Sequence, residues 1–335
     1  MKKTLVAAVC LVLAAMFVLS GCSGSGGGKG NYKFALVEAG VHPYYEPFQG
    51  AVEDAAKDLE IDVPDIQAPS QFIQEDQNKI IDALVAKGIT GLAMQPSDAV
   101  AANEKIAEIV SNGIPVVGFG GAPATPTDMT FCLATDVGLS AYEGTLHLIE
   151  AMGGKGNIVH MTGGLEDVNT VARMENVEKA CKEKGVTLLQ TITDVDDTEA
   201  AQNALNNLLA SKESEIDGII ATGYNCSVAI ATTFRQRNET RIKAIGCDTD
   251  NVVIEAIKDG FMTGTMSQNP YGQAYLCTLA LKYFADGYTW KDPDVFFVNS
   301  GFYLINAENI DKTDELATAA TEELKASFMD YFQAP

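Results

Sequence analysis

The stretch GFGGAPATP, residues 118 to 126, begins as an apolar run (Ile114 to Val117) ends, and it presents two adjacent positions without side chains, Gly120 and Gly121. Glycines at such a point serve one of two chemistries. They cradle a phosphate when a helix opens directly after them, because its free backbone N–H groups and positive dipole end converge on the anion. Alternatively, they leave room for something a side chain would exclude. Pro123 and Pro126 follow here, and no Lys or Arg lies nearby. The arrangement argues against a phosphate cradle and for room, with a tight turn that needs positive φ as the competing reading.

The other reactive residue types form no catalytic constellation. The three histidines, His42, His147 and His160, lack metal-ligand spacing on a helix. There is no Gly-x-Ser-x-Gly elbow and no Walker loop. Of seven cysteines, Cys10 lies in an N-terminal apolar stretch and Cys22 just after it. The other five, Cys132, Cys181, Cys226, Cys247 and Cys277, show no Cys-x-x-Cys spacing and read as small buried hydrophobes. No enzyme activity, cofactor or metal is expected.

The elements that must position any site alternate in type. YKFALVE (32 to 38) reads as a strand, and residues 48–59 place Phe48, Val52, Ala55, Ala56 and Leu59 on one helical face. Strands GITGLAMQ (88 to 95), IPVVGF (114 to 119) and FCLAT (131 to 135) follow, with helices over 99–110 and 138–152. A second series repeats the pattern, with strands NIVHMTG (157 to 163), VTLLQTI (186 to 192), IDGIIATG (216 to 223) and IKAIGCD (242 to 248). The expected fold is therefore α/β, two doubly wound parallel-sheet lobes joined by a hinge. The first lobe is expected over 31–134 plus 269–291, and the second over 135–268 plus 292–335, where an acid-rich amphipathic helix ends the chain. Such lobes hold a ligand where the carboxyl ends of their strands face a crevice. Glu38 and Gln95 sit at two of these strand ends. Glu38 either brings a carboxylate to the crevice or is a surface acid at a strand tip; Gln95 contacts either ligand or backbone.

The chain has 335 residues, 47% apolar, enough for two cores. Its N-terminus carries Lys2, Lys3 and about sixteen apolar residues before Leu19-Ser20-Gly21-Cys22, and reads as an export leader over residues 1–21. Removing those two lysines takes the net charge from −22 to −24. Nucleic acid is an unsuitable partner for so acidic a body. The segment ending in Cys22 resembles the lipobox of bacterial lipoproteins. That resemblance implies cleavage before Cys22, acylation of its thiol, and a mature body held outside the cytoplasm at a bacterial membrane, with the glycine-rich residues 22–30 as a flexible tether. An ordinary leader or a single membrane span is the plainer alternative.

Six segments in order carry a further resemblance: KFALVE with HPYY (42 to 45), GITGLAMQPSD, NGIPVVGF, ARMEN (172 to 176), AIGCDTD (244 to 250) and GTMSQNPYGQA (264 to 274). From about Tyr32 to Ile305 the chain resembles the ribose-binding branch of the periplasmic substrate-binding proteins of sugar ABC transporters. The resemblance implies a sugar or polyol clamped between the lobes and delivered to a permease. It further implies that Tyr44 and Tyr45 supply aromatic surface, unless they pack in the lobe core, and that His42 supplies a hydrogen bond. Arg173 falls on the family's binding arginine, against the alternative of a solvated helix face. Asp248 matches the family's hydroxyl-accepting aspartate, or else caps the next helix. Gln268 matches the glutamine before the hinge proline, and Tyr224 and Asn225 compete for one asparagine position.

Gly120-Gly121 is the chief departure from that family, standing where the sugar binders carry a charged pair. It implies a pocket that is larger or less polar at this point. A sensory receptor of the same fold, for a nucleoside, an autoinducer or another small molecule, is the alternative function.

Overall fold

The computed structural model describes residues 32–165, 168–195 and 197–335. The expected leader, tether and Cys22 lie outside them. The described chain begins with β1 (Phe34–Val37), α1 (Phe48–Leu59), β2 (Asp65–Gln67), α2 (Gln74–Ala86), β3 (Gly91–Met94), α3 (Ala102–Ser111), β4 (Val116–Phe119) and β5 (Cys132–Ala134). It continues with α4 (Val137–Ala151), β6 (Asn157–Met161), α5 (Val168–Lys184), β7 (Thr187–Ile192), α6 (Thr198–Lys212), β8 (Gly218–Ala221), α7 (Tyr224–Arg237), β9 (Lys243–Cys247), α8 (Asn251–Lys258) and β10 (Gly264–Gln268). The last elements are α9 (Pro270–Ala285), β11 (Thr289–Trp290), β12 (Phe297–Asn299), β13 (Phe302–Asn306), α10 (Thr313–Phe328) and β14 (Phe332–Gln333).

These strands form two six-stranded sheets, ordered β12-β5-β4-β3-β1-β2 and β13-β10-β9-β8-β6-β7. The two orders are equivalent, so the repeat seen in the sequence is a repeat of topology. Within the sheets only the β10–β13 pair is antiparallel among the described residues. β1, β3, β4 and β5 are buried along their whole length, as strands covered by helices on both faces must be, and their residues are accordingly a continuous apolar run. In α1 the buried face is Phe48, Ala51, Val52, Ala55 and Ala56, spaced three and four apart. Aspartates begin three of the second lobe's helices: Asp136 accepts from the Leu139 N–H at 2.8 Å, Asp197 from Ala200 at 2.7 Å and Asp250 from Val252 at 2.7 Å.

The chain crosses between the sheets three times, at Thr135-Asp136, at Asn269 and at Ser300-Gly301. The last crossing corrects the expected lobe boundary at residue 292. β12 pairs with β5 in the first sheet, Phe297 beside Cys132 and Asn299 beside Ala134. The chain end returns there too: Phe328 and Phe332 belong to the first lobe's core with Phe131 and Val298. Trp290 stacks on Phe131 at 4.3 Å and on Tyr331 at 5.3 Å. Helical periodicity shows that α10 has an apolar face but not which lobe covers it, and these aromatic side chains decide the matter.

Candidate functional site

A cavity of about 350 Å³ lies between the carboxyl ends of the two sheets' strands. The first lobe lines it with His42, Tyr44, Tyr45, Gln95 and Gly120, and the second with Arg173, Tyr224, Asn225, Asp248 and Gln268. All ten are among the residues singled out in the sequence. Glu38 and Gly121 are outside the lining. At the end of β1 the Glu38 N–H donates to the Gln67 carbonyl at 2.9 Å, and its own carbonyl accepts from Gln77 at 2.8 Å. The backbone there is held to β2 on one side and to α2 on the other. Burial raises the Glu38 carboxyl to about 7.

The His42 Nδ1 accepts from the Tyr44 N–H at 3.1 Å, which leaves the ring proton on Nε2 as a donor. Burial lowers its pKa, opposed by the charge of Asp248, so the ring is neutral at pH 7. Its edge meets Tyr224 of the other lobe at 5.4 Å and Phe72 at 6.4 Å. Tyr45 is a buried member of the first lobe's core and lines the cavity as well, so the two readings of it coexist. Its hydroxyl donates to Gln95 Oε1 at 2.8 Å, and that of Tyr44 donates to Gln273 Oε1 at 2.7 Å. Both phenol protons are spent inside the protein. Ring surface and oxygen lone pairs are what the tyrosines offer a ligand.

The glycine pair makes a turn and makes room at the same time. Gly120 has φ +68°, and the Gly121 N–H folds back onto the Phe119 carbonyl at 2.7 Å. A β-carbon on Gly120 would collide with Gln95 Oε1, and one on Gly121 would stand 3.2 Å from Gln95 Nε2. Gln95 fills the space the glycines leave. Its backbone is anchored on both sides, the N–H to the Val37 carbonyl at 3.1 Å and the carbonyl to Gln77 Nε2 at 2.7 Å. At this corner of the cavity a neutral amide stands in place of charge.

The second lobe supplies the charges. Arg173 lies on α5, with Asn169 and Thr170 of the same helix beside it in the lining. Asp248, just beyond β9, has φ +65°, a left-handed conformation that Asp tolerates better than most residues. It is not the cap of α8, since Asp250 takes that role and also accepts the Tyr224 hydroxyl at 2.7 Å. Asp248 is thereby left for the cavity, with one oxygen accepting from Gln268 Nε2 at 2.8 Å. Tyr224 and Asn225, which competed for one position, both line the cavity, and Asn225 Oδ1 accepts from Thr198 at 3.0 Å. Burial, with Asp250 adding to it, pushes the Tyr224 hydroxyl up to about 12. Beneath Arg173, His160 is buried and held neutral near pKa 3 by burial and the guanidinium charge, with Nε2 on Thr222 Oγ1 at 2.7 Å.

Among the lining residues that sequence reasoning missed are Phe72, Asn169 and Thr170. Asn169 stands one helical turn before Arg173, so the i, i+4 rule would have found it. Phe72 sits in the break between β2 and α2, two elements that carried no clear periodic signal, and nothing in the sequence marks it.

A family model for the periplasmic binding protein domain matches residues 35–289. The chain belongs to this family. A xylitol-binding protein from Mycolicibacterium smegmatis is 25% identical over 190 residues, 56% of this chain and 54% of that protein, so the match spans about half of the curated relative's length. Among solved structures, the sugar-binding protein of a sugar ABC transporter from Bacillus halodurans superposes with a TM-score of 0.77 at 20% identity, covering 84% of this chain and 99% of that one. An arabinose-binding protein from Geobacillus stearothermophilus gives 0.76 at 19% identity, covering 84% and 98%. At these identities the structures share the periplasmic-binding-protein fold with this chain.

Proposed function

We propose that this protein is a transport receptor that captures a sugar or polyol between its lobes and hands it to an ABC transporter permease, held at the membrane by lipid on Cys22. One observation carries the ligand class: in a single cavity, Asp248, Arg173 and Asn225 from one lobe face Tyr44, Tyr45 and His42 from the other. A carboxylate and a guanidinium grip hydroxyl groups from both sides of the hydrogen bond, and aromatic rings cover the C–H faces between them. The names of relatives that bind xylitol and arabinose support the same class. Capture works through the hinge. A ligand that touches both lobes favours the closed state by as much as its contacts differ between open and closed.

A thermal-shift screen against monosaccharides, polyols, nucleosides and small organic acids tests this reading. Ligand at about 100 times its dissociation constant adds roughly 2.7 kcal/mol. Stabilisation by a monosaccharide or polyol supports the proposal. Stabilisation by nucleosides or acids alone removes it and favours the sensory alternative.

A further inference from the structure

The three crossovers between the two sheets are tied together by buried side chains, one from each. Thr135, Asn269 and Ser300 are all buried. Asn269 Nδ2 donates to the Ser300 carbonyl at 2.9 Å, and Thr135 Oγ1 meets Ser300 Oγ at 3.2 Å and the Gly301 carbonyl at 3.2 Å. One further residue joins this knot from outside the crossovers. Gln273, buried in the first turn of α9, donates from Nε2 to Ser300 Oγ at 2.9 Å, while its Oε1 accepts the hydroxyl of Tyr44, a cavity residue, at 2.7 Å.

The donors run in one direction: Tyr44 to Gln273, Gln273 to Ser300, Ser300 to Thr135, Thr135 to Gly301. A chain of hydrogen bonds aligned in this way is cooperative, and in a buried setting each unmade member leaves a costly orphan. We propose that Gln273 is a positioning residue that couples the cavity to the hinge. It holds the ring of Tyr44 and the crossover at Ser300 with the two atoms of one amide, so rotation of the lobes about residues 135, 269 and 300 and displacement of Tyr44 by a ligand are not independent. The proposal rests on the reading that the lobes move about these crossovers, and it holds whatever the ligand proves to be.

The test is the distribution of interlobe distances in the ligand-free protein. The five described cysteines are buried, so spin labels can be placed through Glu104→Cys on α3 and Glu199→Cys on α6, both exposed, with Cys10 and Cys22 changed to alanine. Gln273→Met removes both bonds at nearly constant volume. It is expected to move the population away from the wild-type distance by about 5-fold or more, while Gln273→Glu, whose carboxyl stays protonated in so buried a place and can accept from Tyr44 and donate to Ser300 as the amide does, retains the wild-type distribution. Thr278→Val, buried in the same helix but outside the chain, is the structural control and is expected to leave the distance unchanged. An unchanged distribution in folded Gln273→Met overturns the proposal, as does an equal change in Thr278→Val. If Gln273→Met does not fold, Tyr44→Phe decides: it removes only the cavity end of the chain, and a wild-type distribution there overturns the coupling. Because no ligand is used, failure to bind any sugar leaves this result intact.

Discussion

Gln95 occupies, with its side-chain amide, the space over Gly120 into which any other residue would project a β-carbon. The two positions are complementary. The glycine at positive φ ends the strand and clears the corner, and the glutamine, held by Tyr45, fills it with a neutral group. A cavity with a carboxylate and a guanidinium on one lobe and amide, imidazole and phenol on the other grips a ligand asymmetrically.

Gly120→Ala tests this pair. Forcing a side chain to φ +68° costs about 1–3 kcal/mol, and displacing Gln95 frees the Tyr45 hydroxyl. Gly121→Ala needs only a shift of a few tenths of an ångström from Gln95. Urea denaturation is expected to show the larger loss for Gly120→Ala, with weakened ligand binding in the same variant.

Glu38 is expected to set a pH dependence of stability rather than of ligand grip. Its carboxyl is raised from 4.5 to about 7 by burial, so the folded state holds its proton more tightly than the unfolded chain does. Stability therefore declines as pH rises from the unfolded value to about 7 and is flat above it. Glu38→Gln is expected to remove that decline, stabilising the protein over the wild type at pH 8 and changing almost nothing at pH 4. Denaturation at both pH values checks the sign. An affinity loss in Glu38→Gln would restore the carboxylate to the binding site.

Arg173 is the one permanently charged cation among the described lining residues. Arg173→Ala is expected to weaken binding about 10- to 100-fold, and Arg173→Lys to recover little of it, because an ammonium cannot reproduce the planar fork. Titration of both variants with the same ligand measures the difference. Similar affinities for Lys and Arg would mean that charge alone is used.

Phe328 is fully buried among Phe131, Tyr331 and Phe332. Phe328→Ala is expected to cost about 3–5 kcal/mol, seen as a lower denaturation midpoint, and so to show that the chain end belongs to the first lobe's core. A loss under 1 kcal/mol would argue against it.

Much of this architecture was legible in the sequence because buried parallel strands are short continuous apolar runs and the helices between them carry one apolar stripe. The helix read over 48–59 is α1. The elements β2 and α2 escaped because β2 is a half-exposed edge strand and α2 opens with Gln74, Glu75 and Asp76. The place of β12 was illegible for another reason: a three-residue strand with one buried position carries no sign of its sheet. At the site, the resemblance to the sugar binders supplied most of the ten lining positions, while Gln95 and Gly120 were read directly from the ends of their strands. What fills the gap left by Gly120 depends on a hydrogen bond between Tyr45 and Gln95, fifty residues apart, and no local pattern announces it.

The most direct test of the account is calorimetric titration of the purified protein and its Asp248→Asn variant with the monosaccharide or polyol that stabilises it most in the thermal-shift screen. Asn keeps the left-handed backbone and the side-chain shape but removes the charge that accepts ligand hydroxyls. The account predicts saturable binding of one molecule of that ligand, weakened about 10- to 100-fold by Asp248→Asn. Equal affinity in the variant, or no binding of any monosaccharide or polyol at millimolar concentration, would contradict it.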